Sequence, residues 1–392
     1  MRGTRQIAHN GDRAAEASIA DNDRLTLRGN MRVAIIGGSN SVIANGYTGR
    51  FASHLTAISG HEVTLDNISV GGTTSLTSIG RLQEITEVPD VVVLEYSLND
   101  TGHLNHRPDG AELKRLFLEI LLNAAAERFP DATIVPLILS AQPFYRTDIH
   151  NQIYDAEIAW YRDRGISFVD TRSWFFDTFG WPIPPFVYSD EAHYHRGCTV
   201  AMIGTLLAER VNALWQRGPK LGELARPISV PGTQALLKPR FVSAKEIAAK
   251  TGTESKLGRI ENRHVKADCL TLMTGERLAI PVSGIPIAVS LASSNAHWYA
   301  ELEHDARLVA LSTRYQDIPE GKFIYSSIPL LMENNPSRLT AIPETGTIAL
   351  HTRLAPPSGQ MFTFDGFHDA SRESRRENQL DLAGVLVLET IR

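Results

Sequence analysis

Apolar positions change rhythm along the chain. Val33 to Ile36 is an unbroken apolar run closed by Gly37-Gly38, as expected of a parallel strand buried on both faces and ended by a tight turn. Further strand candidates lie at 62–70, 90–95, 133–139 and 166–170. Helical stretches separate them. The clearest, 110–128, carries Leu113, Leu116, Phe117, Ile120, Leu121 and Ala124 at the i, i+3, i+4 spacing of an amphipathic helix. Others are predicted over 47–59 and 197–215. Strands alternating with helices imply βαβ units, right-handed crossovers and a parallel sheet, so the expected class for residues 31–217 is α/β.

That rhythm stops between Gly218 and Arg240, where Pro219, Pro227, Pro231 and Pro239 interrupt any regular element. Residues 218–240 therefore read as a Pro-rich linker. Beyond it, short β-like runs at 277–281, 285–291, 298–302, 308–312 and 385–391 are separated by Gly, Pro, Asn or Asp. Residues 241–392 are thus expected to form a β-rich, sandwich-like domain. The charged stretch 371–378 reads as a solvated loop. Residues 1–30 lack a sustained period and read as a disordered N-terminal tail.

Composition narrows the function. Lys+Arg is 39 against Asp+Glu 44, a formal net charge of −5, which argues against a general basic field for nucleic acid. No run reaches the ~20 apolar residues of a membrane span. The start lacks the basic-then-apolar pattern of a signal peptide, so a cytoplasmic protein with no integral membrane segment is expected. The two cysteines, Cys198 and Cys269, form no CxxC pair and read as buried thiols.

In an open parallel sheet, functional groups collect beyond the carboxyl ends of the strands. Those ends supply Gly37-Gly38-Ser39-Asn40-Ser41, Gly71-Gly72-Thr73-Thr74 and Ser97-Leu98-Asn99-Asp100, and the loop before the last helix supplies Asp190-Glu191-Ala192-His193. Each has a structural alternative when taken alone. Ser39 suits a helix cap, Asn99-Asp100 an Asx-turn, Gly71-Gly72 a plain turn, Asp190 an N-cap and His193 a surface position. Together they provide a serine, an acid and a base three positions apart, and separate hydrogen-bond donors.

The order of these four segments resembles the SGNH (GDSL-like) hydrolases. The resemblance maps the family's name-giving residues to Ser39, Gly72, Asn99 and His193, with Asp190 as the acid of the DxxH element. It covers about residues 31–217 and implies a flavodoxin-like sheet. Two departures mark a divergent branch. The family's Gly-Asp-Ser is here Gly37-Gly38-Ser39, and its Gly-x-Asn-Asp is Ser97-Leu98-Asn99-Asp100.

Chemically, a serine hydroxyl needs a base to take its proton, and histidine suits that task. A carboxylate three positions earlier can orient the imidazole. The N–H groups of Ser39 and Gly72 and the amide of Asn99 are the expected oxyanion donors. The reading is serine-dependent ester hydrolysis through an acyl-enzyme, with no cofactor and no metal. The resemblance makes small O-acyl groups on carbohydrate or lipid the expected substrates. The partner is thus a small-molecule or glycan ester, not nucleic acid. Alternatives are an O-acyltransferase using the same triad, or a silent glycan-binding protein. Asn40, Tyr47 and Tyr188 are further candidates for substrate contact. Seven aromatics from Trp174 to Tyr188 suit either a substrate platform or core packing. The β domain is expected to assist glycan binding or homo-oligomer formation and to supply no catalytic group.

Overall fold

The computed structural model describes residues 29–145, 150–229, 236–293, 299–304, 307–312, 322–330, 346–353, 361–362 and 379–391. The expected tail up to residue 28, part of the linker (230–235) and the charged stretch 371–378 lie outside these residues.

The N-terminal half alternates strand and helix in the order β1 (Asn30–Gly37), α1 (Ser39–Val42), α2 (Tyr47–Ser59), β2 (Glu62–Asn67), β3 (Val91–Glu95), α3 (Ser97–Leu104), α4 (Gly110–Arg128) and β4 (Thr133–Ile138). It continues with α5 (Gln152–Asp163), β5 (Val169–Asp170), α6 (Thr171–Phe179), α7 (Cys198–Leu214) and α8 (Leu221–Leu224). A 3-10 helix, Ser75–Glu84, connects β2 to β3. The five strands are parallel in the order β2-β1-β3-β4-β5, the flavodoxin-like arrangement.

Strand alternation explains why these runs are apolar throughout. Ala34, Ile36, Val92 and Leu94 face one layer, where Leu113, Phe117 and Leu121 of α4 and Ile153 and Tyr161 of α5 cover them. Val33, Ile35, Val91 and Val93 face the other, under Phe51 and Leu55 of α2 and Ile203, Leu207 and Val211 of α7. The contact between α2 and α7 is close enough that a Cβ on Gly204 would stand 2.8 Å from the Phe51 backbone nitrogen. Cys198 opens α7 beside an exposed loop and is itself exposed, against expectation, whereas Cys269 is buried.

The second half is built from β6 (Ile228–Ser229), β7 (Leu236–Ser243), α9 (Ala244–Thr251), β8 (Leu257–Glu261), β9 (Lys266–Met273), β10 (Arg277–Val282), β11 (Ile285–Ser293) and β12 (Tyr299–His304). Then come β13 (Arg307–Ser312), β14 (Ile324–Pro329), β15 (Gly346–Arg353), β16 (Met361–Phe362) and β17 (Gln379–Thr390). One sheet runs β10-β15-β12-β13-β16 and the other β14-β11-β17-β7-β6, with β9 also pairing β17 and β8 pairing β9. Pairing is antiparallel except between β13 and β16. Leu278, Ile280, Ile348 and Leu350 from one sheet and Val289, Leu291, Leu382 and Val385 from the other share a core with Ile247 of α9. A reciprocal capping box starts α9. Ser243 Oγ accepts from the Glu246 N–H, and the Glu246 carboxylate accepts from the Ser243 N–H.

The span expected as a linker is partly structured. It contains α8 and β6, and β7 begins within it and pairs with β17 along Leu237 to Ser243. The two halves also share apolar surface. Ile79 and Leu82 of the 3-10 helix lie in one continuous cluster with Leu237, Ile287, Leu386 and Leu388 of the β sheets. Polar ties reinforce that contact. The Ser327 N–H donates to Thr77 Oγ1 at 3.0 Å. The buried Arg81 guanidinium donates to the carbonyls of Ile68, Ser69 and His264.

Candidate active site

Ser39 stands where β1 turns directly into α1. The Gly38 N–H bonds back to the Glu95 carbonyl at 2.9 Å, so the turn is fastened to the neighbouring strand. Two glycines let other segments close on it. A Cβ at position 38 would lie 1.8 Å from Asn99 Oδ1, and one at Gly71 would lie 2.9 Å from Ser39 Cβ. Glycine in the second place of Gly37-Gly38-Ser39 is therefore what this seating of Asn99 requires.

The acid and base arrive on a loop that shapes itself. Asp190 Oδ1 accepts the N–H groups of Ala192 (2.9 Å) and His193 (2.8 Å), an Asx-type turn that folds the chain back. Both Asp190 carboxylate oxygens are then 2.9 Å from His193 Nδ1, and His193 Nε2 is 3.0 Å from Ser39 Oγ. Partial burial pushes the Asp190 carboxyl up, but the two N–H donors and the imidazole outweigh it and hold it below the usual carboxylate range. Asp190 is over half exposed, at 56% of its side chain, so its contribution is mainly orientation of the ring, not a strong field.

Gly72 and Asn99 line the same pocket as Ser39 and His193. Gly72 has φ +71°, left-handed backbone that favours glycine, and its carbonyl lies 3.3 Å from His103 Nε2. Behind Asn99 lies a buried charge network. Asp100 accepts from the Ser75 N–H at 2.9 Å and from Lys114 Nζ at 2.9 Å, and Lys114 also reaches Glu157 at 3.2 Å. The segment after β2, which carries Gly72, and α3, which carries Asn99, are thereby tied together. Burial alone would lower the Lys114 pKa, but the two carboxylates raise it above its ordinary value, and burial raises that of Glu157.

The pocket has a volume of about 630 Å³. Its far wall comes from the β domain, through Asn262, His264 and Val265 at the β8–β9 hairpin and Phe323, Ile324 and Tyr325 at the start of β14. The hairpin tip is held by its own asparagine. Asn262 Oδ1 accepts from the N–H groups of His264 and Val265, and its Nδ2 donates to the Phe323 carbonyl. None of these wall residues stood out in the sequence, because no local motif distinguishes them.

The three residues expected to contact substrate have other roles. Tyr47 is buried, with its hydroxyl 2.8 Å from Ser41 Oγ. Asn40 braces the Asp190–His193 loop, donating to the Ala192 carbonyl and accepting from the Tyr194 N–H. Tyr188 stacks on Tyr194 and donates to the Ser140 carbonyl. The aromatic group divides, with Phe176, Trp181 and Phe186 exposed. Phe175 is buried and stacks with Phe179, and no member lines this pocket.

Comparison with known proteins bears on the fold and the family. Residues 35–194 match the GDSL-like lipase/acylhydrolase family model. A two-domain esterase active on acetylated mannans superposes with a TM-score of 0.59 at 14% identity, covering 94% of this chain and 93% of that one. The same description holds for a crystal of such an esterase with mannopentaose, with TM-score 0.56, 14% identity and 94% coverage of both chains. At 14% identity the likeness is one of fold, and it extends through both domains. No curated protein sequence matches the chain.

Proposed function

We propose, from an α/β domain whose residues 35–194 match the GDSL-like lipase/acylhydrolase family, that this SGNH-type esterase is a serine-dependent deacylase acting on O-acylated glycans. The observation that carries this reading is the continuous contact Asp190–His193–Ser39, at 2.9 and 3.0 Å, opening into a two-walled pocket. His193 Nε2 takes the Ser39 proton as Oγ attacks the ester carbonyl, forming a tetrahedral oxyanion. The N–H groups of Ser39 and Gly72 and the Asn99 amide are the donors proposed for that charge. Collapse breaks the ester C–O bond, and the imidazolium gives its proton to the departing sugar oxygen, which leaves as the hydroxyl. Water, deprotonated by the same imidazole, then attacks the acyl-serine. The second attack releases the carboxylic acid and restores Ser39.

A volume of about 630 Å³ exceeds what a short acyl group fills, leaving room for part of an alcohol moiety. The β-domain wall supports a substrate larger than a simple ester. Acetylated mannan, on which the two-domain neighbour acts, is the first glycan to test. The experiment is acetate release from acetylated mannan, acetylated xylan and an aryl acetate by the full chain and by Ser39→Ala. Release from a glycan that disappears in the variant supports the proposal, and undiminished release in the variant contradicts it.

A further inference from the structure

Behind the nucleophile lies a carboxyl group that the proposed reaction does not use. Glu95 ends β3 and is fully buried. Its Oε2 accepts the Gly38 N–H at 3.1 Å and the Ser41 hydroxyl at 2.6 Å. Because Ser41 spends its only proton on Glu95, the contact between Tyr47 and Ser41 at 2.8 Å requires the tyrosine to donate. The other carboxyl oxygen, Oε1, is buried and has no hydrogen-bond partner among the described residues.

This geometry favours one protonation state. A buried carboxylate with one oxygen lacking a protein donor is more costly than the neutral acid. Oε2 already receives two donors, which leaves Oε1 as the place for the proton. The groups facing Glu95 from packed elements are Glu157 of α5, Lys114 of α4 and Tyr47 of α2. Burial raises the Glu95 carboxyl, and Glu157 adds to the rise. The donors from Ser41 and Gly38, with the more distant Lys114, recover part of it and leave it at about 8.

We propose that Glu95 is a positioning residue that holds the Gly38–Ser39 turn as a neutral acid, and that its ionisation lowers turnover on the alkaline side. The inference rests on the serine-esterase reading above. The Gly38 N–H, shared between the Glu95 carbonyl at 2.9 Å and its carboxyl at 3.1 Å, fixes the Gly37–Gly38 peptide, which precedes the one carrying the Ser39 N–H proposed to meet the oxyanion. A negative charge behind that turn would oppose the negative charge forming in front of it.

The test is kcat and KM for an aryl acetate between about pH 5 and pH 10, using full-length wild type, Glu95→Ala and the neutral isostere Glu95→Gln. Wild-type kcat should fall on the alkaline side with a midpoint near 8. It should be down about tenfold one pH unit beyond that midpoint, as for any reaction needing one protonated group. Alanine should lower kcat more than it changes KM, and glutamine should restore most of kcat while abolishing the alkaline fall. An alkaline fall that persists in Glu95→Gln overturns the proposal, as does a folded glutamine variant no more active than the alanine one.

Denaturant unfolding gives a readout independent of turnover. The native state favours the protonated acid, so wild type loses stability relative to Glu95→Gln as pH rises from about 4.5 through about 8. A constant difference across that window overturns the proposal. Turnover that survives Ser39→Ala would instead contradict the esterase reading, while the unfolding comparison would still decide the protonation of Glu95.

Discussion

The pocket has two walls of different origin. On the α/β side, Ser39, Gly72 and Asn99 stand on or just beyond strand ends, where a parallel sheet fixes backbone positions through interstrand pairing. On the β side, Asn262, His264 and Phe323 stand at a hairpin tip and at the start of a strand, held in place mostly by one asparagine. The contrast separates tasks. The proposed nucleophile and oxyanion donors sit on that rigid frame, while Asp190 and His193 sit on a loop fixed by its own Asx-type turn. Groups that shape the mouth of a pocket tolerate more variation and sit on a turn. The second half therefore lines the site without carrying the proposed nucleophile or base, which gives the β domain a more direct part than its sequence implied.

Substitutions on the two walls should differ in kind as well as size. On the α/β side, His193→Ala should lower kcat by about four to six orders of magnitude, with Asp190→Asn causing a smaller loss. The double variant should be little worse than His193→Ala alone, because the two act as one unit. Steady-state kinetics on an aryl acetate checks this, and additive losses would break the unit.

One layer deeper, Lys114→Met should leave Asp100 and Glu157 buried without their cation. The expected loss of stability is about 3–5 kcal/mol, read by denaturant unfolding. An unchanged midpoint would mean that the network does not brace the loops of the α/β wall. On the opposite wall, Asn262→Ala should free the hairpin tip and raise KM for an acetylated oligosaccharide about tenfold, equivalent to about 1.4 kcal/mol. Its kcat on an aryl acetate should stay near wild type. Equal effects on both substrates would remove the distinction between the walls.

The same contrast governs what was legible in the sequence. Strand ends in a βαβ chain are recognisable locally, so Ser39, Gly72 and Asn99 could be read from the residues that close apolar runs, while the Asp190–His193 pair was read from its spacing before the last helix and from the family resemblance. Burial behind those residues could not. Tyr47 and Asn40 read from the sequence as substrate contacts, yet both side chains are buried, Asn40 within α1 and Tyr47 at the start of α2. Glu95 left a visible signal, since a lone charge closing an apolar run is costly to bury unless it is protonated or paired, whereas Lys114, next to Arg115 and two residues from Glu112, left none. The β wall left none. The β8–β9 tip and the start of β14 are about sixty residues apart in sequence and meet through tertiary packing.

The central claim is that Ser39 is the nucleophile of this pocket. It is tested most directly by mass-spectrometric mapping of the adduct formed with a fluorophosphonate probe on the full-length protein. The account predicts one phosphonylated peptide containing Ser39, abolished in Ser39→Ala and strongly slowed in His193→Ala. Stoichiometric modification of another residue in wild type, or labelling undiminished in Ser39→Ala, would contradict it.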